Sequence, residues 1–267
     1  MDIIVCIKQV PETTDVKINP ETGTLIREGV AAIVNPFDEY AIEEGLRLRE
    51  KFGGKVTVIS MGPPQAEEAL KQAIAMGADE AILLSDRAFA GADTLATSYT
   101  LSEAIKKIGH FDLIICGREA MDGATGQVGP GVASRLGISQ LTYVFKIREV
   151  DLEKGTITVE RLVEEGREVV TAPLPALLTV VKDINQPRYP TFMGIRRAAR
   201  MKIPVWTAKD LEGADPRNFG LDGSATKVIK VFTPPPREGE AEIIEADTVE
   251  EAAAILADRL MKKEKII

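Results

Sequence analysis

The sequence predicts an α/β fold built on a doubly wound, mostly parallel sheet with a C-terminal arm. Two observations predict it. Short apolar, β-branched runs alternate with segments of helical composition over the first 140 residues, the rhythm of strands buried on both faces and joined by crossover helices. At 267 residues and 45% hydrophobic content, the chain is also long enough to bury a large single core.

Ile3 to Ile7, Lys55 to Ile59, Ala81 to Leu84 and Phe111 to Cys116 read as strands. Between them Asp38 to Lys51, Gln65 to Met76 and Thr94 to Ile108 read as helices, with Asn35-Pro36 opening the first, since proline suits the first turn. The arrangement is Rossmann-like. Asp15 to Ile26 interrupts it as an expected hairpin around Asn19-Pro20-Glu21-Thr22-Gly23, a run rich in turn residues. After residue 140 the expected elements are strands: Leu141 to Val150, Thr156 to Val163, Glu168 to Ala172 and Ala176 to Val181. These complete a domain expected over residues 1 to 184. From Asn185 to Ile267 proline and basic residues rise, and Thr233-Pro234-Pro235-Pro236 reads as a stiff linker, because proline cannot continue a helix or a central strand. A last helix is expected after Thr248, whose spacing to Glu251 forms a capping box.

Composition excludes several function classes. The formal charge of -8 argues against nonspecific nucleic-acid binding, which depends on Lys and Arg meeting phosphates. The two cysteines, Cys6 and Cys116, lie in separate apolar runs, and His110 is the single histidine, so disulfides and metal centres are not expected. No apolar run reaches the length of a transmembrane helix and no signal peptide is evident, so a cytoplasmic location is expected.

Two loops carry the chemistry. Gly117-Arg118-Glu119-Ala120-Met121-Asp122-Gly123-Ala124-Thr125-Gly126-Gln127-Val128 leaves a strand and enters a helical segment ending near Leu136. Glycines there permit close backbone approach to a phosphate, and the helix N-terminus favours its charge. The spacing is neither the dinucleotide G-x-G-x-x-G nor the P-loop, and an ordinary turn has a similar composition. Ser85 to Ser98 is a second strand-to-helix loop. It reads either as a long connection in which Asp93 caps the helix, or as a second phosphate contact through Arg87, Thr94, Thr97 and Ser98.

Together with Val5-Cys6-Ile7-Lys8-Gln9-Val10-Pro11 and Val34-Asn35-Pro36-Phe37-Asp38-Glu39-Tyr40-Ala41-Ile42-Glu43, these loops resemble the electron-transferring flavoprotein beta subunit. The spaced run Val159-Glu160-Arg161, Glu164-Glu165-Gly166, Glu168, Val170 and Pro175-Ala176-Leu177-Leu178-Thr179 adds to the resemblance. It implies a subunit of a heterodimer that binds AMP in ordinary members and FAD in electron-bifurcating ones. By motif, the nucleotide is expected on Cys6, Asn35, Pro36, Phe37, Asp38, Met61 and the loop Gly117 to Val128, with Cys6 and Met61 as strand-end walls. The Ser85 to Ser98 segment resembles the bifurcating members. FAD is therefore expected rather than AMP, with Arg87, Asp93, Thr94, Thr97 and Ser98 adding to the site and NADH as electron donor.

Electrons would pass through FAD on the alpha subunit to an acyl-CoA dehydrogenase or quinone-reductase-type protein, and to ferredoxin or flavodoxin. The stretch Asn185 to Ile195 resembles the recognition loop that docks on dehydrogenase partners, with Phe192, Met193 and Ile195 as contacts. Phe192 stands where an aliphatic anchor is usual, and it reads alternatively as a packing residue under the arm. Two other readings compete: a colourless ATP-binding module of the stress-protein type, and a free-standing NAD-dependent dehydrogenase. The latter lacks both the glycine spacing and an acid-base residue.

Overall fold

The computed structural model describes residues 1–12, 32–229 and 243–262. The expected hairpin at Asp15 to Ile26 and the Thr233 to Pro236 linker lie outside them. The chain divides into two units, Met1–Val231 and Phe232–Ile267.

In the first unit, β1 (Ile3–Ile7), β2 (Gln9–Pro11) and β3 (Ala32–Val34) precede α1 (Pro36–Phe52). There follow β4 (Val56–Met61), α2 (Glu67–Met76), β5 (Glu80–Leu84), α3 (Thr94–Ile108), β6 (Leu113–Gly117) and α4 (Val128–Leu136). Next come β7 (Ser139–Asp151), β8 (Thr156–Val163), β9 (Gly166–Pro173), β10 (Ala176–Val180), α5 (Phe192–Arg200) and β11 (Val205–Trp206). Among the described residues nine of these strands form one sheet, in the order β11-β5-β4-β1-β6-β10-β7-β8-β9. It is parallel from β11 to β7, and antiparallel through β8 and β9. Strands β2 and β3 form a separate antiparallel pair.

All five residues of β1 are buried, as a strand covered on both faces requires. Ile3, Val5 and Ile7 pack on one face with α1 and α2, while Ile4 and Cys6 pack on the other with α3 and α4. From β1 the chain proceeds outward to β4 and β5, then α3 carries it back to β6 on the opposite side of β1. The carboxyl ends of β1 and β6 thus form a topological switch point, where such sheets leave a crevice for ligands.

The expected boundary at 184/185 is displaced to 231/232. Val205 and Trp206 pair with Leu83 and Leu84 and extend the sheet, and Leu211 and Phe219 join the core on the α3 and α4 face. A two-residue strand beside Pro204 carries no periodic signal, which hid this docking from the sequence. In the second unit α6 (Val249–Lys262) forms as expected. The Glu251 N–H donates to the Thr248 hydroxyl at 3.2 Å, one half of the capping box, and no residue of α6 is buried. Among the described residues no helix is long and apolar enough to cross a membrane.

Candidate functional site

At the switch point Asp38, on the first turn of α1, is wholly buried, and its two carboxylate oxygens accept from the backbone N–H groups of Lys8 at 2.7 Å and Gly117 at 3.1 Å. It thereby straps together the exits of the two central strands. Burial pushes its carboxyl up to about 7, against the lowering effect of those N–H donors. Gly117 is required here because a Cβ would lie 2.3 Å from the Asp38 Oδ1 and 2.7 Å from the Phe37 backbone.

Asn35, also buried, governs the loop itself. Its backbone N–H donates to the Lys8 carbonyl at 2.9 Å, its Nδ2 donates to the Glu119 carbonyl at 2.9 Å, and its Oδ1 accepts from the Met121 N–H at 3.0 Å. Lys8 Nζ donates to Asp122 Oδ1 at 2.6 Å, closing the loop from the outside. Arg118, whose N–H donates to the Val180 carbonyl, pairs with Glu119 and lies over the rings of Phe37 and Tyr143, at 4.8 and 5.6 Å. Its Nε is buried without a hydrogen-bond partner.

The crest of the loop is open. Met121 to Thr125 are exposed, and Ala124 and Gly126 adopt left-handed φ of 48° and 62°, a backbone that turns successive N–H groups outward. Among the described residues the N–H groups of Thr125, Gly126 and Gln127 make no backbone hydrogen bond. Gln127 precedes α4 without capping it through its side chain, so the positive end of this helix faces the crest.

Its neighbour α3 is different. The Asp93 carboxylate caps it, accepting from Leu95 and Ala96 N–H on one oxygen and from the Thr226 N–H and hydroxyl on the other. The alternative role of Asp93 as helix cap is the one the structure displays. Ser98 is buried, donates to the Leu95 carbonyl, and accepts from Arg135 Nε. Gly131 of α4 lies so close that a Cβ there would meet Ser98 Cβ at 2.8 Å. This packing sets the N-termini of α3 and α4 side by side, and the Thr94 hydroxyl donates to Gln127 Oε1 at 2.9 Å across them. Thr97 is half-buried on α3, and Arg87 is exposed in a short 3-10 turn.

Cys6 and Cys116 face each other in register on β1 and β6. The Cys116 thiol is pushed up by the adjacent Cys6 and by burial, so it stays neutral, and both cysteines are buried. Met61, at the end of β4, is partly buried against the same core. Pro36 supplies the first residue of α1.

The structure thus brings Asn35, Phe37, Asp38, Arg118 and the 119 to 128 loop together at one sheet edge, linked to the second loop through Thr94. Sequence reasoning missed Lys8 as the partner of Asp122, and Tyr143 as the partner of Arg118. Tyr143 gives no sequence signal because its position depends on a left-handed φ of 57° at a strand irregularity.

A second surface lies at the start of α5. Arg188 donates to Glu43 and Glu50 of α1, and Asn185 Nδ2 donates to the Tyr40 carbonyl and Glu44. Burial pushes the Glu43 carboxyl up, but hydrogen bonds from Arg188 and Arg47 together hold it below its ordinary value. On this anchored stem Tyr189, Phe192, Met193 and Ile195 are exposed, Phe192 at 80%.

The family profile described as "Electron transfer flavoprotein domain" matches residues 22–211. The electron transfer flavoprotein subunit beta of Thermoanaerobacterium thermosaccharolyticum is 52% identical over the full length of both chains. Protein FixA of Bradyrhizobium diazoefficiens is 48% identical, covering 97% of this chain and 91% of its own. The caffeyl-CoA reductase-Etf complex subunit CarD of Acetobacterium woodii is also 48% identical, covering 98% of this chain and 99% of its own.

Proposed function

Since the chain belongs to the electron transfer flavoprotein family, as a beta subunit, we propose that it holds FAD at the Gly117 to Val128 loop within a heterodimer and takes electrons from NADH. The observation that carries this reading is the N-terminus of α4, without a side-chain cap, beside a loop whose Thr125, Gly126 and Gln127 N–H groups make no backbone hydrogen bond, joined through Thr94 to a second strand-to-helix loop. Such an arrangement suits a pyrophosphate. The similarity to a subunit of a caffeyl-CoA reductase-Etf complex supports the same reading.

Bound there, FAD would supply hydride acceptance from NADH and division of the electrons between the alpha-subunit FAD and a low-potential carrier such as ferredoxin or flavodoxin, the bifurcating chemistry. The chain's own residues do the holding. Asn35 and Asp38 fix the loop from beneath, Lys8 neutralises Asp122 so that it does not repel phosphate, and the buried Cys6 and Cys116 side chains close the floor. Phe192, Met193 and Ile195 provide an apolar tip for docking on an acyl-CoA dehydrogenase or quinone-reductase-type partner. The α6 helix and the residues before it form the arm that embraces the alpha subunit.

The AMP reading is favoured by one observation: Asp93 and Ser98 have their polar atoms committed within the protein, which leaves Arg87, Thr94 and Thr97 to meet a second phosphate. Anaerobic NADH titration of the heterodimer, with FAD and AMP counted after release, separates the two. Flavin bleaching by NADH with FAD in this subunit is expected. One FAD and one AMP per heterodimer, without bleaching, would leave the simpler electron carrier.

A further inference from the structure

The two aspartates of the Ser85 to Ser98 loop, Asp86 and Asp93, both reach the same later stretch of chain, which runs from Ala208 to Thr226 and leads toward the second unit. Between β11 and Ile229 that stretch forms only two short 3-10 turns, Ala208–Asp210 and Pro216–Asn218. Without a strand ladder or a long helix, its backbone groups depend on side chains for partners, and these ties set its course. Asp86 accepts from the Ala208 N–H at 3.0 Å. Phe219 then packs edge-on against Phe89 with ring centroids 5.1 Å apart. The next two residues press onto the loop: a Cβ on Gly220 would lie 2.3 Å from the Ala88 carbonyl oxygen, and one on Gly91 would lie 2.7 Å from the Leu221 side chain.

The last tie is made at Asp93. One of its oxygens suffices to cap α3, and the other accepts from the Thr226 N–H at 2.9 Å and from the Thr226 hydroxyl at 3.1 Å. In return the Asp93 N–H donates to the Ser224 hydroxyl at 2.9 Å, and that hydroxyl donates to the Gly220 carbonyl at 2.7 Å. Bonds to an ionised carboxylate are about twice as strong as neutral ones, so the stretch is held most firmly at its far end. Directly past this point Val228 and Ile229 are 77% and 95% exposed, an apolar pair that the first unit does not bury.

Resting on the reading that the C-terminal arm embraces the alpha subunit, we propose that Asp93, Ser224 and Thr226 form a hook that fixes the root of that arm, and with it Val228 and Ile229, in the course that meets the alpha subunit. Asp93 is thereby a positioning residue for assembly. An arm that leaves from a fixed root has less freedom to lose on binding than one that leaves from a loose root. The hook also accounts for the second oxygen of Asp93, which capping α3 does not require.

The test uses the full-length beta chain and its alpha subunit. Ser224→Ala with Thr226→Val removes both hydroxyl ties and leaves the Asp93 cap on α3 in place, while Ile229→Asp with Leu256→Asp disables the exposed apolar positions of the arm and its root. Loss of the hook is expected to weaken alpha-subunit binding roughly fivefold, the scale of ordering one or two side chains, with the melting midpoint of the beta chain unchanged. When the arm is already disabled, the same loss is expected to cost less than about twofold, because a fixed root is of no use to an arm that does not grip. Unchanged binding on loss of the hook overturns the proposal, and so does a fivefold loss in both backgrounds, which would make these residues general supports or direct contacts. Unchanged binding by the variant with the disabled arm overturns the arm reading itself, and the hook with it.

Discussion

The loops Gly117 to Val128 and Ser85 to Ser98 leave neighbouring parts of one sheet edge, enter adjacent helices and carry similar small and polar residues, yet they differ in where their hydrogen bonds go. The first is braced from below by Asn35 and Asp38 and from outside by Lys8, and its Thr125, Gly126 and Gln127 N–H groups make no backbone hydrogen bond. The second turns its polar groups inward: Asp93 caps α3 and ties down Thr226, Asp86 caps the 3-10 turn and accepts from Ala208, and Ser98 serves helix packing. Composition alone does not separate a loop that binds from one that holds the fold; the accounting of its donors and acceptors does.

The comparison breaks most sharply at two glycines of the first loop. Gly117→Ala drives a Cβ into the Asp38 carboxylate and the Phe37 backbone, neither of which can yield. A loss of about 4 kcal/mol or more, enough to prevent folding, is expected. Gly123→Ala, on the crest, meets nothing within 4 Å and is expected to change stability by less than about 0.5 kcal/mol. Denaturant melts of the two variants measure the difference; similar stabilities would mean the strand ends are not strapped as described.

The two carboxylates give the comparison a pH signature of opposite sign. Asp38 has its folded-state pKa raised from 3.8 to about 7 by burial. As pH rises from about 4 to 7 the unfolded chain loses this proton before the folded one, so stability falls and then levels, by at most about 4 kcal/mol. Asp93 goes the other way. Its partial burial raises it, but the N–H groups of Ala96 and Thr226 and their neighbours outweigh that and lower it. Its contribution is present above the ordinary carboxylate range and is lost as pH falls through the folded value. Stability measured against pH for Asp38→Asn and Asp93→Asn, each relative to the starting protein, should therefore differ in sign of slope. Parallel profiles would show that the two aspartates sit in equivalent surroundings.

The fold was readable because its central strands are continuous apolar runs with clean helical spacers, as at Ile3 to Ile7 and Leu113 to Gly117. What escaped was short or nonlocal: β2 and β3 have three residues each, and β11 two. At the candidate site the motif named the right neighbourhood, but residue type does not reveal direction. Asn35 and Asp38 read as ligand contacts, and their side chains point under the loop. Lys8, between β1 and β2, and Tyr143, on β7, stand in stretches whose sequences look ordinary and are placed by pairings that no local pattern encodes.

The smallest expected effect tests whether the two loops act together at all. Thr94 reaches Gln127 through one exposed hydrogen bond, and Gln127 stands directly before the uncapped end of α4. Thr94→Val keeps the shape and removes the donor, so stability should move by no more than about 0.5 kcal/mol. A ligand lying only on the first loop has no use for the tie. A dinucleotide spanning both needs Gln127 and the α3 terminus held in fixed relation, and losing one neutral hydrogen bond of about 0.5–1 kcal/mol corresponds to a roughly threefold weaker affinity. FAD affinity is thus expected to fall about threefold and AMP affinity to stay unchanged, read by competition titration on the heterodimer. Equal losses for both would merge the two loops into one site, whereas no change for either would reduce Ser85 to Ser98 to scaffold.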